Sequence, residues 1–292
     1  MPPWRALSSS DHVVAATQRW RLDLAYDGAA FHGFAYQPEF VTVVGVLRAT
    51  LARTLRLAEE PVIVGAGRTD AGVHAFAQVV HLDVAESSGE RLDSERLVAS
   101  LNKQLRGRIR ILAVRAVSQD FHARFSATWR EYRYLVLEAA PPALGLTNGW
   151  SWTVAAPLDL EAMNRACAVV MGTHDFRAFC RRATNADSQD PLLRRVLDCS
   201  WERLEDHWVM SPTNSPAVRL TIRAQSFCHN MVRSLTSTMV AIGQGRLSES
   251  TLRERLESHQ RDHLPLLAPA GGLSLIGVGY DEFAGGPSGF VR

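Results

Sequence analysis

Residues 62–84 read VIVGAGRTDAGVHAFAQVVHLDV. An apolar run, Val62-Ile63-Val64, enters a polar, glycine-bent loop, and a second apolar run, 76–84, leaves it. Short apolar runs bounded by Gly and Asp predict two strands joined by that loop. Gly65, Gly67 and Gly72 permit backbone angles and close approaches that a side chain resists. Among them stand Arg68 and Asp70. A carboxylate and a guanidinium on a loop between strands make a candidate reactive centre, since rigid scaffolds often carry function on loops. On residue chemistry alone, the simpler reading of Asp70 is a turn aspartate bonded to nearby amides, and of Arg68 a surface cation.

The pattern extends in both directions. Upstream, Trp20, Leu22, Leu24 and Tyr26 alternate with Arg19, Arg21, Asp23 and Ala25, the period of a half-buried strand that Asp27-Gly28 ends. Over 44–57, Val44, Leu47, Leu51 and Leu55 fall at helical spacing, and Pro61 opens the strand 62–66. Downstream the patterning predicts a helix over 92–105 and a strand over 109–117. The order β-α-β-β-α-β is the ferredoxin-like split arrangement. A further strand, 129–138, follows the loop FHARFSAT at 121–128. Pro141-Pro142 and the glycines at 145 and 149 mark a break, dividing the chain into domains at 19–140 and 141–283. The second contains predicted strands at 150–154, 194–203, 217–225 and 273–280. Its helices are predicted at 158–171, with Leu160, Met163, Cys167 and Val170 on one stripe, and at 230–242, with Met231, Leu235, Met239 and Ile242. The expected class is α+β: duplicated ferredoxin-like halves, with antiparallel or mixed sheets, facing one another across a central cleft. Residues 181–191 are polar and aperiodic and are expected to form a mobile loop. Residues 1–18 lack the apolar core of a signal peptide and read as a flexible extension; the Gly-rich 284–292 reads as a frayed tail.

With 292 residues, 46% hydrophobic and 21% charged, the chain can bury a substantial core. No apolar run approaches the roughly 20 residues that span a bilayer, so a cytoplasmic protein is expected. Net charge is only +2, yet all but one of its 32 basic residues are arginine, the exception being Lys103. Arginine suits bidentate phosphate contacts and stacking on bases; a GC-rich genome also favours it. The arginines cluster at Arg106, Arg108, Arg110 and Arg115, at Arg124, Arg130 and Arg133, and at Arg177, Arg181, Arg182, Arg194 and Arg195. Acidic residues concentrate elsewhere, as in 249–257, so a basic cleft fits a nearly neutral protein. Cys167, Cys180, Cys199 and Cys228 include no CxxC pair and are expected as buried free thiols.

Several chemistries are excluded by motif. The lone lysine follows Asn102, so no phosphate-binding P-loop exists, and it sits at the end of an ordinary helix, a poor place for a Schiff base. GAGRTD carries Asp70 where a dinucleotide fingerprint needs its third glycine. No GxSxG elbow, HxH or HExxH occurs. His74 and His81 flank one strand and could pair with distant carboxylates, but packing or capping is the commoner use of such histidines. Tyr132 and Tyr134 share a face of the strand 129–138, where core packing is the simple reading, and Arg233 lies off the apolar stripe of its helix, where solvent exposure is.

Five blocks shift these readings: GRTDAGVHA (67–75), FHARFSAT with REYRY (121–128, 130–134), HDFRAFC (174–180), FCHNMVRS (227–234) and GLSL (272–275). Through them the chain resembles the tRNA pseudouridine synthase A family from about residue 19 to 280. The resemblance implies that Asp70 is the catalytic aspartate and that Arg68 assists flipping of the target nucleotide. It implies too that Tyr132 packs on the target base, Arg233 pairs with the aspartate and Leu273 sits near the base. It implies isomerisation of uridine to pseudouridine at positions 38 to 40 of the tRNA anticodon arm, by a homodimer and without cofactor or metal. The target base must leave its stack to reach a carboxylate. Attack on C1′ and removal of a sugar proton are both open roles for Asp70. Departures from the family pattern at Phe34, Ala35, Val44 and Arg106 lie away from Asp70 in the sequence. The alternatives are a non-catalytic tRNA-binding protein on the same fold, and a metal-dependent hydrolase using Asp70 with nearby histidines.

Overall fold

The fold was analysed in a computed structural model that describes residues 17–85, 93–138, 149–155, 157–181, 190–204, 216–259 and 265–281. Nearly all of the expected extension 1–18, most of the 141–149 break and of the 181–191 loop, and the tail 284–292 lie outside the described residues.

Alternation produces β1 (Thr17–Tyr26), which buries Leu22, Leu24 and Tyr26 and leaves its intervening residues half-buried or paired. After α1 (Val43–Leu55) come β2 (Val64–Gly65) and the long β3 (His74–Ala85), then α2 (Ser94–Leu105), β4 (Ile109–Val117) and β5 (Ala127–Glu138). A short β6 (Trp152–Val154) precedes α3 (Leu160–Val170), β7 (Gly172–Asp175), β8 (Leu193–Leu204) and β9 (Ala217–Ala224). The chain closes with α4 (Met231–Gly243), α5 (Glu249–Ser258) and β10 (Leu273–Tyr280). Side-chain oxygens start four of the helices: Thr42, Asp93, Asp159 and Ser248 each accept an N–H from the first turn. Each such cap contributes about 1 kcal/mol.

The strands form one sheet in the order β4-β1-β3-β10-β5-β9-β8-β7, with β2 on β3 and β6 on β5. It is mostly antiparallel; β3 with β10 and β5 with β6 are parallel. β10 joins the two ends of the molecule, since Leu275 stands opposite Ala75 on one side and Tyr132 on the other. β2 is shorter than the strand predicted over 62–66. Val62 is 78% exposed, and β10 occupies the part of the β3 edge nearest the loop. Two elements escaped the sequence reading. β7 is too short for periodicity to show, and α5 lies in the acidic run, with only Leu252 and Leu256 buried.

The main core packs α1 and α2 against Leu22, Leu24, Val80 and Leu82, and α3 and α4 against Trp201, Leu220 and Ile222. α4 is buried all round, so its hydroxyls must find partners inside. Thr236 donates to the Val232 carbonyl at 2.8 Å, while Ser237 and Thr238 donate to that of Ser234. The expectation of four free thiols fails in part. Cys180 and Cys228 are joined as a disulfide, their Cα atoms 5.8 Å apart, because the turn after β7 lies beside the entrance to α4. Cys167 and Cys199 are free.

Candidate active site

The Asp70 loop is fixed through its backbone. The Thr69 hydroxyl is buried against the Tyr26 hydroxyl at 2.8 Å, and the Thr69 carbonyl accepts the Phe34 amide at 3.1 Å. Gln78, fully buried, donates to the Gly67 carbonyl at 2.9 Å. Arg130 donates through Nε and Nη2 to the Ala66 carbonyl, and through its other hydrogens to Ala127, Gln225 and Arg124. Burial pulls this guanidinium below the ordinary arginine range, and four carbonyl dipoles take the place of a counter-ion. The Val73 amide closes a turn onto the Asp70 carbonyl, and Gly72 supplies its positive φ of 80°. The turn lies so close to Gly28 that a Cβ there would stand 2.1 Å from the Val73 carbonyl oxygen.

The loop delivers the Asp70 carboxylate, 26% exposed, to a segment more than 150 positions away. Arg233 on the first turn of α4 places Nη1 3.2 Å from Oδ2 and is itself held by its Nε donating to the Ala268 carbonyl at 2.7 Å. His229 places Nε2 3.3 Å from Oδ1. The carboxylate thus faces a guanidinium at one oxygen and an imidazole at the other.

Of the residues singled out by sequence, the fold brings Asp70 and Arg233 into contact. Tyr132 stands beside them: its hydroxyl faces Gly67, its ring meets Phe227 edge-on at 5.2 Å, and the residue is 7% exposed. Burial first, then Tyr26 and the Asp70 charge, push its phenol well above the usual range, so it stays neutral. Arg68 is exposed and has no ion pair among the described residues, free to reach a ligand. Leu273 is buried at the start of β10, opposite Tyr134 and two residues from the Leu275–Tyr132 pair.

Sequence reasoning missed His229, Phe227, Arg130 and Gln78 as parts of the site. The first two lie in FCHNMVRS, and His229 stands four positions before Arg233, a spacing that hints at a shared face. Phe34 corrects an expectation. Distant from Asp70 in sequence, it reaches the loop through its amide, and its ring fills the space over Gly65. The arginine clusters are partly neutralised. Arg115 pairs with Asp23, Arg133 with Glu131 and Arg177 with Asp175, while Arg194 is pulled down by burial and by the Arg124 charge. The two histidines considered for a metal are occupied. His74 accepts from the Gly28 amide and meets the Gly149 carbonyl, and His81 accepts from the Ala123 amide, with a pKa pulled down to about 4 by burial. Among the described residues no group of three or more His, Cys, Asp or Glu could hold a metal, and no helix is long and apolar enough to cross a membrane.

A family profile described as tRNA pseudouridine synthase matches residues 24–126 and 166–281. Among curated proteins, the tRNA pseudouridine synthase A of Cutibacterium acnes is 39% identical over 262 residues, covering 90% of this chain and 88% of its own. That of Brevibacillus brevis is also 39% identical, covering 90% of this chain and 100% of its own. That of Corynebacterium glutamicum is 37% identical, with coverage of 90% and 89%.

Proposed function

Since the chain belongs to the tRNA pseudouridine synthase family, we propose that it converts uridine to pseudouridine in tRNA with Asp70 as the reactive carboxylate. The observation that carries the reading is the Asp70–Arg233 contact: a loop carboxylate, a quarter exposed, met at 3.2 Å by a guanidinium from another part of the chain. In the reaction the C1′–N1 bond breaks, the uracil turns, C5 joins C1′, the C5 proton leaves and N1 gains one. Atoms and charge balance with no oxidant and no donor. Arg233 sets a fixed positive charge against one oxygen of the carboxylate. Tyr132, neutral and buried, offers its ring edge and hydroxyl to a base entering beside Gly67. Arg68 braces the helix that the nucleotide leaves, and Leu273 lines the apolar floor.

The substrate positions belong to the same proposal: 38 to 40, in the anticodon arm, reached by extruding the base from its stack. So do a homodimer with tRNA across both subunits and a cytoplasmic location. The duplication is a further reading, supported by strand order. β4-β1-β3 with β2 on β3, and β10-β5-β9-β8, each follow the order expected of a β-α-β-β-α-β unit. On that reading the boundary between the units falls between β4 and β5, ahead of the break expected after residue 140, and β5 is a central strand of the second unit.

The test is tritium release from 5-labelled uridine in tRNA, run in EDTA, with modified positions mapped afterwards. Release by the wild-type chain and none by Asp70→Asn supports the reading. Wild-type turnover by Asp70→Asn overturns it, and loss of tritium release in EDTA would make the reaction metal-dependent.

A further inference from the structure

Asp70 has two oxygens, and only one is taken by Arg233. The other faces the His229 imidazole, whose Nε2 lies 3.3 Å from Oδ1. His229 is half exposed, and an imidazole in that setting ordinarily samples several rotamers. Here the backbone beneath it is pinned on every side. The His229 carbonyl accepts the Arg181 amide at 2.9 Å, and the Cys228 carbonyl accepts the Met231 amide at 3.1 Å. Cys228 is also tied to Cys180, and Phe227 packs against Tyr132. Asn230 then turns the chain into α4 with a φ of +68°, a left-handed conformation that asparagine tolerates better than most residues. No side-chain cap accompanies that turn, so Asn230 does not act there as an ordinary helix-starting residue. Among the described residues, the one charged partner of the imidazole is Asp70. A tightly anchored backbone beneath an exposed side chain, with one partner and no packing duty, marks a group held for that partner.

We infer that His229 is a positioning residue for the reaction: through Nε2 it holds Oδ1 of Asp70 and fixes the rotation of the carboxylate about its Cβ–Cγ bond. Arg233 alone can neutralise the charge but leaves the carboxylate plane free to turn about a single contact. A guanidinium donating to one oxygen and an imidazole beside the other, from residues four apart in the same segment, set that plane. The carboxylate then presents its unshared lone pairs to the ribose in one orientation, a form of preorganisation that acts on the chemical step rather than on tRNA affinity. This inference rests on Asp70 being the reactive carboxylate.

The test compares wild type, His229→Ala, His229→Gln and Asp70→Asn by steady-state tritium release from tRNA, with thermal melting of each. His229→Ala should lower kcat about tenfold with KM within about twofold, as expected when a contact that orients the reacting carboxylate is lost. His229→Gln, whose amide nitrogen can reach the same oxygen, should recover to within about threefold of wild type. All variants should melt near the wild-type temperature, because the side chain is exposed. Wild-type kcat in His229→Ala, a loss confined to KM, or equal impairment of Ala and Gln variants would each overturn the inference. The Asp70→Asn arm separates the two readings. If it is inactive while His229→Ala is unimpaired, only the role of His229 fails; if it turns over normally, the Asp70 reading fails first.

Discussion

The loop that carries Asp70 and the segment 227–233 that faces it are held by different means. The loop is gripped through backbone carbonyls, those of Ala66, Gly67 and Thr69, by Arg130, Gln78 and the Phe34 amide. Its glycines serve close approach: Gly28 against Val73 and Gly65 against Phe34 leave no room for a Cβ. The facing segment has no glycine. It is held by the link from Cys228 to Cys180, the Arg181–His229 backbone bond, Asn230 in a left-handed turn and the long buried helix behind it. The lesson is that one half of the site is shaped where its own residues stand, while the other is delivered by distant packing. Changes on the loop side should act through geometry and folding, and changes on the facing side through the carboxylate.

The largest effect should come from Asp70→Asn. Loss of the charge should reduce tritium release by roughly a thousandfold or more, as removal of a central catalytic group does, while the melting temperature and tRNA affinity change little. Such a result places chemistry on the loop; near-normal turnover would move it elsewhere. Next comes Arg233→Ala, expected to lower kcat by roughly a hundredfold through two lost charge-assisted bonds, to Asp70 and to the Ala268 carbonyl. Arg233→Lys should recover only part of this, because an ammonium cannot span both partners. Full recovery by lysine would show that charge alone, not delivery geometry, is what the facing segment contributes.

Gly28→Ala tests the loop's grip directly. A methyl 2.1 Å from the Val73 carbonyl oxygen forces the backbone apart, at about 2–3 kcal/mol of stability by urea unfolding, with activity falling in parallel. Unchanged stability would mean that the loop is looser than its contacts imply. The smallest effect concerns pH. His81 has its pKa pulled from 6.5 to about 4 by burial, so the unfolded chain binds a proton that the folded chain refuses. Stability is therefore full above about pH 6.5 and is lost as pH falls toward 4. His81→Gln should flatten that decline in urea midpoints measured across the window. An equally steep decline in the variant would assign it to other groups.

Much of this arrangement could be read before any tertiary structure was known. β1, α1, β3, α2, β4, β5, α3, β8, β9, α4 and β10 all follow from local patterning. Asp70 and Arg68 could be picked out because their loop is a contiguous string. Other features could not. β2 shrank because β10 competes for the same edge of β3. Phe34 looked remote because chain distance hides the fold-back of the β1–α1 connection over the loop. Arg130 stood in an arginine cluster that suggested a basic cleft, yet it is buried among carbonyls. Cys180 and Cys228, 48 positions apart, showed no pairing signal.

By itself, the sequence determined which stretches become strands and helices and which short loop bears a carboxylate, because periodicity, capping and glycine placement act within a few residues of one another. Only the tertiary structure decided what meets that carboxylate. Arg233 and His229 reach Asp70 because α4 is buried on every side and the turn at Asn230 has a single exit. Contacts across more than 150 positions depend on how whole elements pack, and no local pattern of residues encodes that.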